Sequence, residues 1–312
     1  MNKPSNALNP QKNYWRTVLN QWQLHVLILV PVAYLVVFEY WPMYGAQIAF
    51  RNYRARQGIL GSKWVGWKWF KEFLASYNFQ TIFSNTLILS LYQILVSFPI
   101  PVLFALIINA LPSERFKKFT QTVTYMPHFI SVTVLVSMMN LFFSPDSGFV
   151  NTILGWLGAS GKTYFMGKPE FFAHMYVWSG VWQNMGWSSI IYLAALSGVD
   201  PGLHEAATLD GASKLQRVLH IDLPCILPTI VILLVMDCGK IMSVGYEKVY
   251  LMQNSLNSEV AEVISTYVYK LGLQQRQYSF STAIGLFNNV INLILLTTVN
   301  KISNKLSGVG LW

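Results

Sequence analysis

Three short stretches of this 312-residue chain carry residue types that could do chemistry. The first is GASGKT, Gly158 to Thr163, which has the glycines and the Lys-Thr of a phosphate cradle. That cradle needs a glycine, four residues, then Gly-Lys-Ser/Thr. Counting back from Gly161, the required glycine position holds Trp156. No strand precedes it, so no nest of backbone N–H groups at a helix start is expected there. It reads as a Gly-rich connection. The second stretch is HEAAT, His204 to Thr208. Zinc would require a second imidazole where Thr208 stands. His25, His128, His174 and His220 offer no replacement spacing, so no metal site is expected. No Ser-His-Asp or Cys-His nucleophile is favoured either. Cys225 and Cys238 fall in one expected helix, roughly 20 Å apart at 1.5 Å per residue, which is beyond disulfide reach.

The third stretch, SGVDPGLHEAATLDGASKLQRVLHIDLPCILP, contains the second and is locally consistent throughout. Asp200 before Pro201 is a helix start, with a capping acid and a proline at the first helical position. Glu205 follows in the first turns, where the helix dipole favours an anion. Gly211 suits the left-handed residue that ends such a helix. Ser213 and Gln216 have the spacing of a capping box for a second helix. Leu215, Val218, Leu219 and Ile221 give that helix an apolar stripe, and Pro224 is expected to stop it. A helix–turn–helix with a mixed polar and apolar face suits docking into a groove on another protein.

The elements that must hold this hairpin are apolar. Hydrophobic residues make up 53% of the chain and charged residues 11%, against about 25% charged in soluble domains. Mean hydropathy is +0.39. Six runs are long enough to cross about 30 Å of hydrocarbon. They are Leu24–Met43, Thr86–Leu111, Thr122–Phe143, Phe171–Leu196, Leu227–Val244 and Thr282–Val299, with kinks expected at Pro99, Pro101 and Pro127. Leu24–Met43 is too long for a signal-peptide core and no small-x-small site follows, so it reads as a permanent anchor. Basic residues are shared almost evenly between the two sets of loops, so charge alone leaves orientation open. SERFKK, Ser113 to Lys118, favours the cytoplasm for its own side. The segment from Tyr44 to Phe73 alternates aromatics with cations, as an interfacial helix at the headgroups would. The net charge of +9 is scattered and forms no stripe, which excludes nucleic acid and leaves lipid headgroups or acidic substrates.

Polar side chains inside spans usually face a bundle interior or a cavity. Trp182, Gln183 and Asn184 lie near the middle of the fourth run, and Asn288, Asn289 and Asn292 near the middle of the sixth. These amides could bond sugar hydroxyls, with Trp182 stacking on a pyranose face, or they could bond across helices. Asp237 and Lys240 could pair within the fifth run. Lys240 could instead meet a carboxylate on an acidic sugar.

Glu205-Ala206-Ala207, then Gly211, then Ile221-x-Leu223-Pro224 resembles the EAA motif of ATP-binding cassette (ABC) importer permeases. Every fixed position matches at the family's spacing. YGAQIAFRNY, WQNMGWSSIIYLAALSGVD, LHEAATLDGASKLQR, GYEKVYLMQN, YSFSTAIGLFNNVINLILL and the closing LW extend the resemblance almost end to end. They point to the MalF/MalG-like type I group and, within it, to the LplB/YtcP-type oligosaccharide and polysaccharide permeases. The resemblance implies an all-α integral membrane protein of six transmembrane helices, with a MetI-like five-helix core and a cytoplasmic EAA coupling hairpin. It divides the chain into a cytoplasmic segment 1–23, a first transmembrane helix 24–43 and an extracytoplasmic interfacial segment 44–80. A permease domain 81–305 with its EAA loop at 200–224 and a tail 306–312 follow. Both termini would be cytoplasmic, in a bacterial cell membrane.

On the same resemblance the chain would be a non-catalytic permease subunit for an oligosaccharide, with acidic ones among the compatible substrates. Its partners would be a second, non-identical permease, two ABC ATPase subunits or domains and an extracytoplasmic solute-binding protein. Glu205, Ala206, Ala207, Gly211, Lys214, Arg217, Ile221, Leu223 and Pro224 would couple transport to the ATPase. Lys214 and Arg217 would pair with its acidic groups. ATP and Mg would be used by the partners, with no cofactor bound by this chain. A stand-alone secondary transporter or channel would leave the EAA hairpin without a purpose and often shows internal repeats, which are not evident here. An intramembrane enzyme, or a permease for a non-sugar solute, is the remaining alternative.

Overall fold

The computed structural model describes residues 21–158 and 162–312. Most of the expected segment 1–23, and Ala159 to Gly161 of GASGKT, lie outside the described residues. The chain forms two compact units, Met1–Gly66 and Trp67–Trp312.

In the first unit the apolar run becomes one helical rod, Trp22–Phe50. It consists of α1 (Trp22–Leu35), a π turn at Val36–Tyr40, a turn at Trp41–Met43 and a 3-10 stretch at Tyr44–Phe50. Every residue from Trp22 to Met43 is exposed, as suits a helix that is apolar all round and meets lipid rather than its own core. The interfacial helix expected next is replaced over much of its length by a hairpin. β1 (Arg51–Arg54) pairs antiparallel with β2 (Ser62–Trp64), with Arg51 opposite Trp64 and Asn52 opposite Lys63. Alternation of period two is a strand signal, and burial alternates along β1 accordingly. Arg51 Nη1 donates to the carbonyls of Leu60 and Ser62, both at 2.9 Å, and Phe50 stacks on Trp64.

The second unit is helical. Its elements are α2 (Lys68–Leu74), α3 (Asn78–Ser97), α4 (Pro99–Asn109), α5 (Glu114–Tyr125), α6 (Val132–Phe142), α7 (Phe149–Trp156) and α8 (Pro169–Ser197). Then come α9 (Pro201–Leu209), α10 (Lys214–Arg217), α11 (Leu223–Cys238), α12 (Tyr246–Met252), α13 (Ile264–Tyr269) and α14 (Tyr278–Ser307). α8 packs against α3, α4, α5 and α11. At Gly186 the approach to α5 is so close that a Cβ would lie 2.3 Å from the Thr124 carbonyl oxygen. The buried side chains form three groups, around Val177 and Val249, around Phe73 and Ile284, and around Ala105 and Ile226.

Among the described residues four helical stretches are long and apolar enough to cross a membrane: Trp22–Phe50, Asn78–Asn109, Lys214–Cys238 and Tyr278–Lys305. A fifth arises if Glu114–Phe129 and Val132–Phe142, bent by 96°, count as one broken span. The third expected run, Thr122–Phe143, is therefore not a straight helix. Pro127 sits in a 3-10 turn, and extended Ser131 starts α6 afresh by accepting from the Val134 N–H. The fourth expected run lies inside α8, a continuous helix of 29 residues. Its WQNMGWSS centre keeps it out of the apolar set.

Two of the boundaries that differ from expectation bear on the candidate residues. Pro224 does not end a helix: α10 continues through a π turn, Val218–Asp222, into α11. A proline deprives one carbonyl of its N–H partner, and a wide π turn just before it accommodates that loss. The fifth run ends at Cys238 rather than Val244, so Lys240 lies past the helix, in a turn that Asn292 holds from α14.

Candidate functional site

Two regions gather the functional candidates. The first is the hairpin of α9 and α10. Asp200 accepts from the Gly202 N–H at 2.9 Å, capping α9. Gly211, at φ +79°, takes the left-handed position at its end. The Ala212 N–H reaches back to the Ala207 carbonyl and the Gly211 N–H to the Thr208 carbonyl, the paired closure that left-handed C-termini use. Ser213 and Gln216 bond reciprocally as a capping box for α10. Two contacts stitch the arms together. Arg217 Nη1 donates to Thr208 Oγ1 at 2.9 Å, and His204 Nε2 lies 3.1 Å from Asp222 Oδ1, whose side chain is buried.

Glu205, Ala206, Gly211 and Lys214 are exposed, and Ala207, Arg217, Ile221 and Leu223 are half-buried. Leu203, Leu209 and Leu215 also point outward, Leu209 at 90% exposure. Arg217 is thus committed partly to the hairpin itself, while Lys214 stands free on the surface of α10. Pro224 belongs to α11. His204 braces α9 against the root of α11 through Asp222. That role was not legible in HEAAT, because its partner lies on another element.

The second region is a cavity of about 720 Å³ walled by α3, α8, the turn after α11 and α12. Gln183, Asn184 and Lys240 line it, together with Gln93, Tyr176, Asp237, Glu247 and Lys248. Gln183 Nε2 donates to the Ile130 carbonyl at 2.7 Å, and Asn184 Oδ1 lies 2.9 Å from His128 Nδ1. The His128 ring stacks on Trp187. Lys240 and Asp237 are exposed and form no ion pair with each other.

The other path candidates lie elsewhere. Trp182 lines a separate apolar groove with Trp178 and Phe142. Asn288 and Asn292 are buried, with Asn288 Nδ2 on the Met242 carbonyl and Asn292 bonded to the Met242 N–H and Ser243 Oγ. They hold α14 to the turn after α11. Asn289 is exposed. Asn288 and Asn292, four apart, share the inward face, whereas Asn289 and Asn292 do not.

Gln93 and Lys248 are among the wall residues absent from the sequence-based candidates. Gln93 could have been found, since it is an amide in an apolar run. Lys248 carried no such signal, because it sits in the polar stretch GYEKVYLMQN. Yet it is 8% exposed, and its Nζ donates to the Tyr176 carbonyl at 2.8 Å. It lies beyond the end of the α11 span, and burial lowers its pKa to about 8 from 10.5.

Comparison with known proteins gives these two regions a context. A family described as "Binding-protein-dependent transport system inner membrane component" matches residues 73–307. The polygalacturonan/rhamnogalacturonan transport system permease protein YteP of Bacillus subtilis is 41% identical over 295 residues, 95% of this chain and 92% of that protein. Protein LplB of the same organism is 39% identical over 300 residues, 96% of this chain and 94% of that one. A chain from the crystal structure of a bacterial ABC transporter involved in the import of the acidic polysaccharide alginate superposes with a TM-score of 0.87. It is 38% identical and covers 95% of this chain and 99% of its own. A second crystal structure, of the bacterial alginate ABC transporter in complex with an alginate pentasaccharide-bound periplasmic protein, matches equally well.

Proposed function

This chain belongs to the binding-protein-dependent transport system inner membrane components, and on that premise we propose that it is the permease subunit of an ABC importer for carboxylate-bearing oligosaccharides. It forms part of the translocation path and makes no covalent change to the sugar. A second, non-identical permease completes the path, an extracytoplasmic binding protein delivers the substrate, and two ATPase subunits or domains supply ATP hydrolysis. The alginate and polygalacturonan relatives motivate the acidic substrate class.

The observation that carries this reading is the hairpin. It is capped at Asp200 and Ser213, closed at Gly211, and presents Glu205, Ala206 and three leucines to the outside. A rigid projection with an uncovered mixed face is what a partner groove requires. In this reading Glu205 to Gly211 seat on the ATPase in the cytoplasm. ATP-driven closure moves the hairpin as a lever, and the continuous passage of α10 into α11 transmits the motion to the cavity wall. Six spans follow when α8 and the bent α5–α6 pair are each taken as one crossing. Both termini are then cytoplasmic, and Gly158 to Thr163 lies outside, away from ATP. ATP and Mg belong to the partners.

The test is ATP-driven oligosaccharide uptake by the reconstituted complex. Uptake is expected to require the ATPase subunits and to fall with Glu205→Arg, which reverses charge on the docking face. Uptake by the chain alone in liposomes would refute the reading.

A further inference from the structure

We propose that Lys248 is the seat for a substrate carboxylate, the buried cation of the cavity wall, and that it selects uronate-bearing sugars. This rests on the importer reading above and assigns that selectivity to one residue. Its geometry is that of half an ion pair. An ammonium offers three donors, and the one hydrogen bond made by Lys248 Nζ goes to the Tyr176 carbonyl. The same nitrogen lies 4.8 Å from the centre of the Tyr176 ring. No carboxylate of the described residues lies within 4.0 Å of it.

Buried charges are ordinarily paired, because desolvation is costly without a counter-charge. Elsewhere the buried Asp222 faces His204, and the half-buried Lys270 meets the half-buried Glu262. Asp237 and Glu247 share the cavity with Lys248 but remain exposed.

There is also room beside the ammonium. Gly180 faces it from α8, and beyond its chain neighbours and its own helix backbone a Cβ there would find only the Lys248 Nζ within 4 Å, at 3.3 Å. The absence of a side chain at that position leaves the nitrogen approachable. Gln93, Gln183 and Asn184 supply amides around the same space for sugar hydroxyls. A neutral sugar can accept a hydrogen bond from Lys248, but only an anion completes its charge. Burial lowers the lysine pKa to about 8, so at neutral pH it still carries that charge.

The experiment uses the assembled importer in proteoliposomes enclosing ATP, with trigalacturonate and its neutral counterpart galactotriose as probes. Lys248→Met is expected to lower the ratio of trigalacturonate to galactotriose uptake by about tenfold or more, the scale of one lost charge pair. Lys248→Arg is expected to keep most of that ratio. Gly180→Asp places a carboxylate from the chain beside Nζ and is expected to lower the ratio as well, while Gly180→Ala stays near the parent.

If Lys248→Met depresses both sugars equally, or neither, Lys248 only ties α12 to α8 and the proposal is wrong. If that variant does not assemble, equal ratios for Gly180→Asp and Gly180→Ala overturn it instead. Parent importer that carries galactotriose but not trigalacturonate refutes the carboxylate seat and leaves the importer reading intact. Failure to carry either sugar with ATP refutes the importer reading, and this inference falls with it.

Discussion

The hairpin and the cavity satisfy their polar groups in opposite ways. In the hairpin the caps and closing turn sit within a few residues of their partners: Asp200 serves Gly202, Ser213 serves Gln216, and Gly211 closes onto Thr208. In the cavity the bonds that join one element to another reach remote partners. Gln183 bonds Ile130, Asn184 meets His128, and Lys248 reaches Tyr176 from 72 positions away. A locally closed element can project from a protein and still keep its shape, whereas a wall built from remote partners exists only while the helices stay packed. The lever should therefore tolerate damage to the wall poorly in function but well in structure, and the wall should fail as a unit.

The largest effect should come from breaking the packing of α8, the helix that carries part of the wall, at its close contact with α5. A Cβ at Gly186 would meet the Thr124 carbonyl oxygen at 2.3 Å, a backbone atom with no freedom to move aside. Overpacking of this kind typically costs about 1–3 kcal/mol for small insertions and more for bulky ones. Gly186→Leu is expected to yield no folded importer, and Gly186→Ala to melt several degrees early in detergent. Parent-like melting of both would mean that α5 and α8 are not in close contact.

The next effect in size is a pH dependence confined to the wall. The Lys248 pKa is lowered by burial to about 8 from 10.5. Between those values the unfolded chain holds a proton that the folded protein does not, so stability rises with pH across that window. Below about 8 the folded state bears the cost of the buried charge, on the order of 3 kcal/mol. Tyr176, Asp237, Lys240, Tyr246 and Glu247 are the other titratable groups lining the cavity. The measurement is therefore the difference between parent and Lys248→Met. The parent should gain thermal stability from pH 7.5 to 9.5 relative to that variant, while its trigalacturonate uptake falls. Parallel curves would remove Lys248 as the titrating group.

The hairpin should respond on a smaller energetic scale with a specific readout. A residue with a Cβ at the Gly211 position, φ +79°, bears about 1–2 kcal/mol of strain. Gly211→Val is expected to leave the melting temperature of the complex nearly unchanged. The stimulation of ATP hydrolysis by loaded binding protein should fall by roughly tenfold, a loss of about 1.4 kcal/mol of coupling. Full stimulation would show that the turn geometry is irrelevant to the partner contact.

This contrast also explains what could be read from the sequence. The caps at Asp200 and Ser213 and the left-handed Gly211 are written in residue type and short spacing, so they were legible. The apolar runs were legible as well, because a helix in hydrocarbon has one strong compositional signature. The break at Ser131 and the helix running through Pro224 were not. Each depends on how the chain redistributes backbone hydrogen bonds around a proline, which several geometries can satisfy. The cavity was legible only in part. Gln183 and Asn184 stand out as amides in an apolar run, but Lys248 is an unremarkable surface residue until α8 covers it. A two-stranded hairpin over Arg51 to Trp64 was missed because aromatic and cationic alternation suits an interfacial helix and a strand equally.

The smallest effect separates two neighbours on α14. Asn292 accepts from the Met242 N–H at 2.9 Å and donates to Ser243 Oγ at 2.9 Å, holding the turn that carries Lys240. Met242 is 1% exposed, so its N–H cannot turn to water if the amide is removed. Leaving a buried backbone donor unpaired costs about 1–3 kcal/mol, and partial relaxation of the turn places Asn292→Ala near the low end. Asn289 is exposed and answers no such group, so Asn289→Ala should stay within about 0.5 kcal/mol of the parent. Thermal unfolding of the two variants side by side measures the difference. If they shift stability equally, the inward face of α14 is not the one bearing Asn288 and Asn292. The turn after α11 would then owe its shape to its own residues, as the hairpin does, rather than to remote partners.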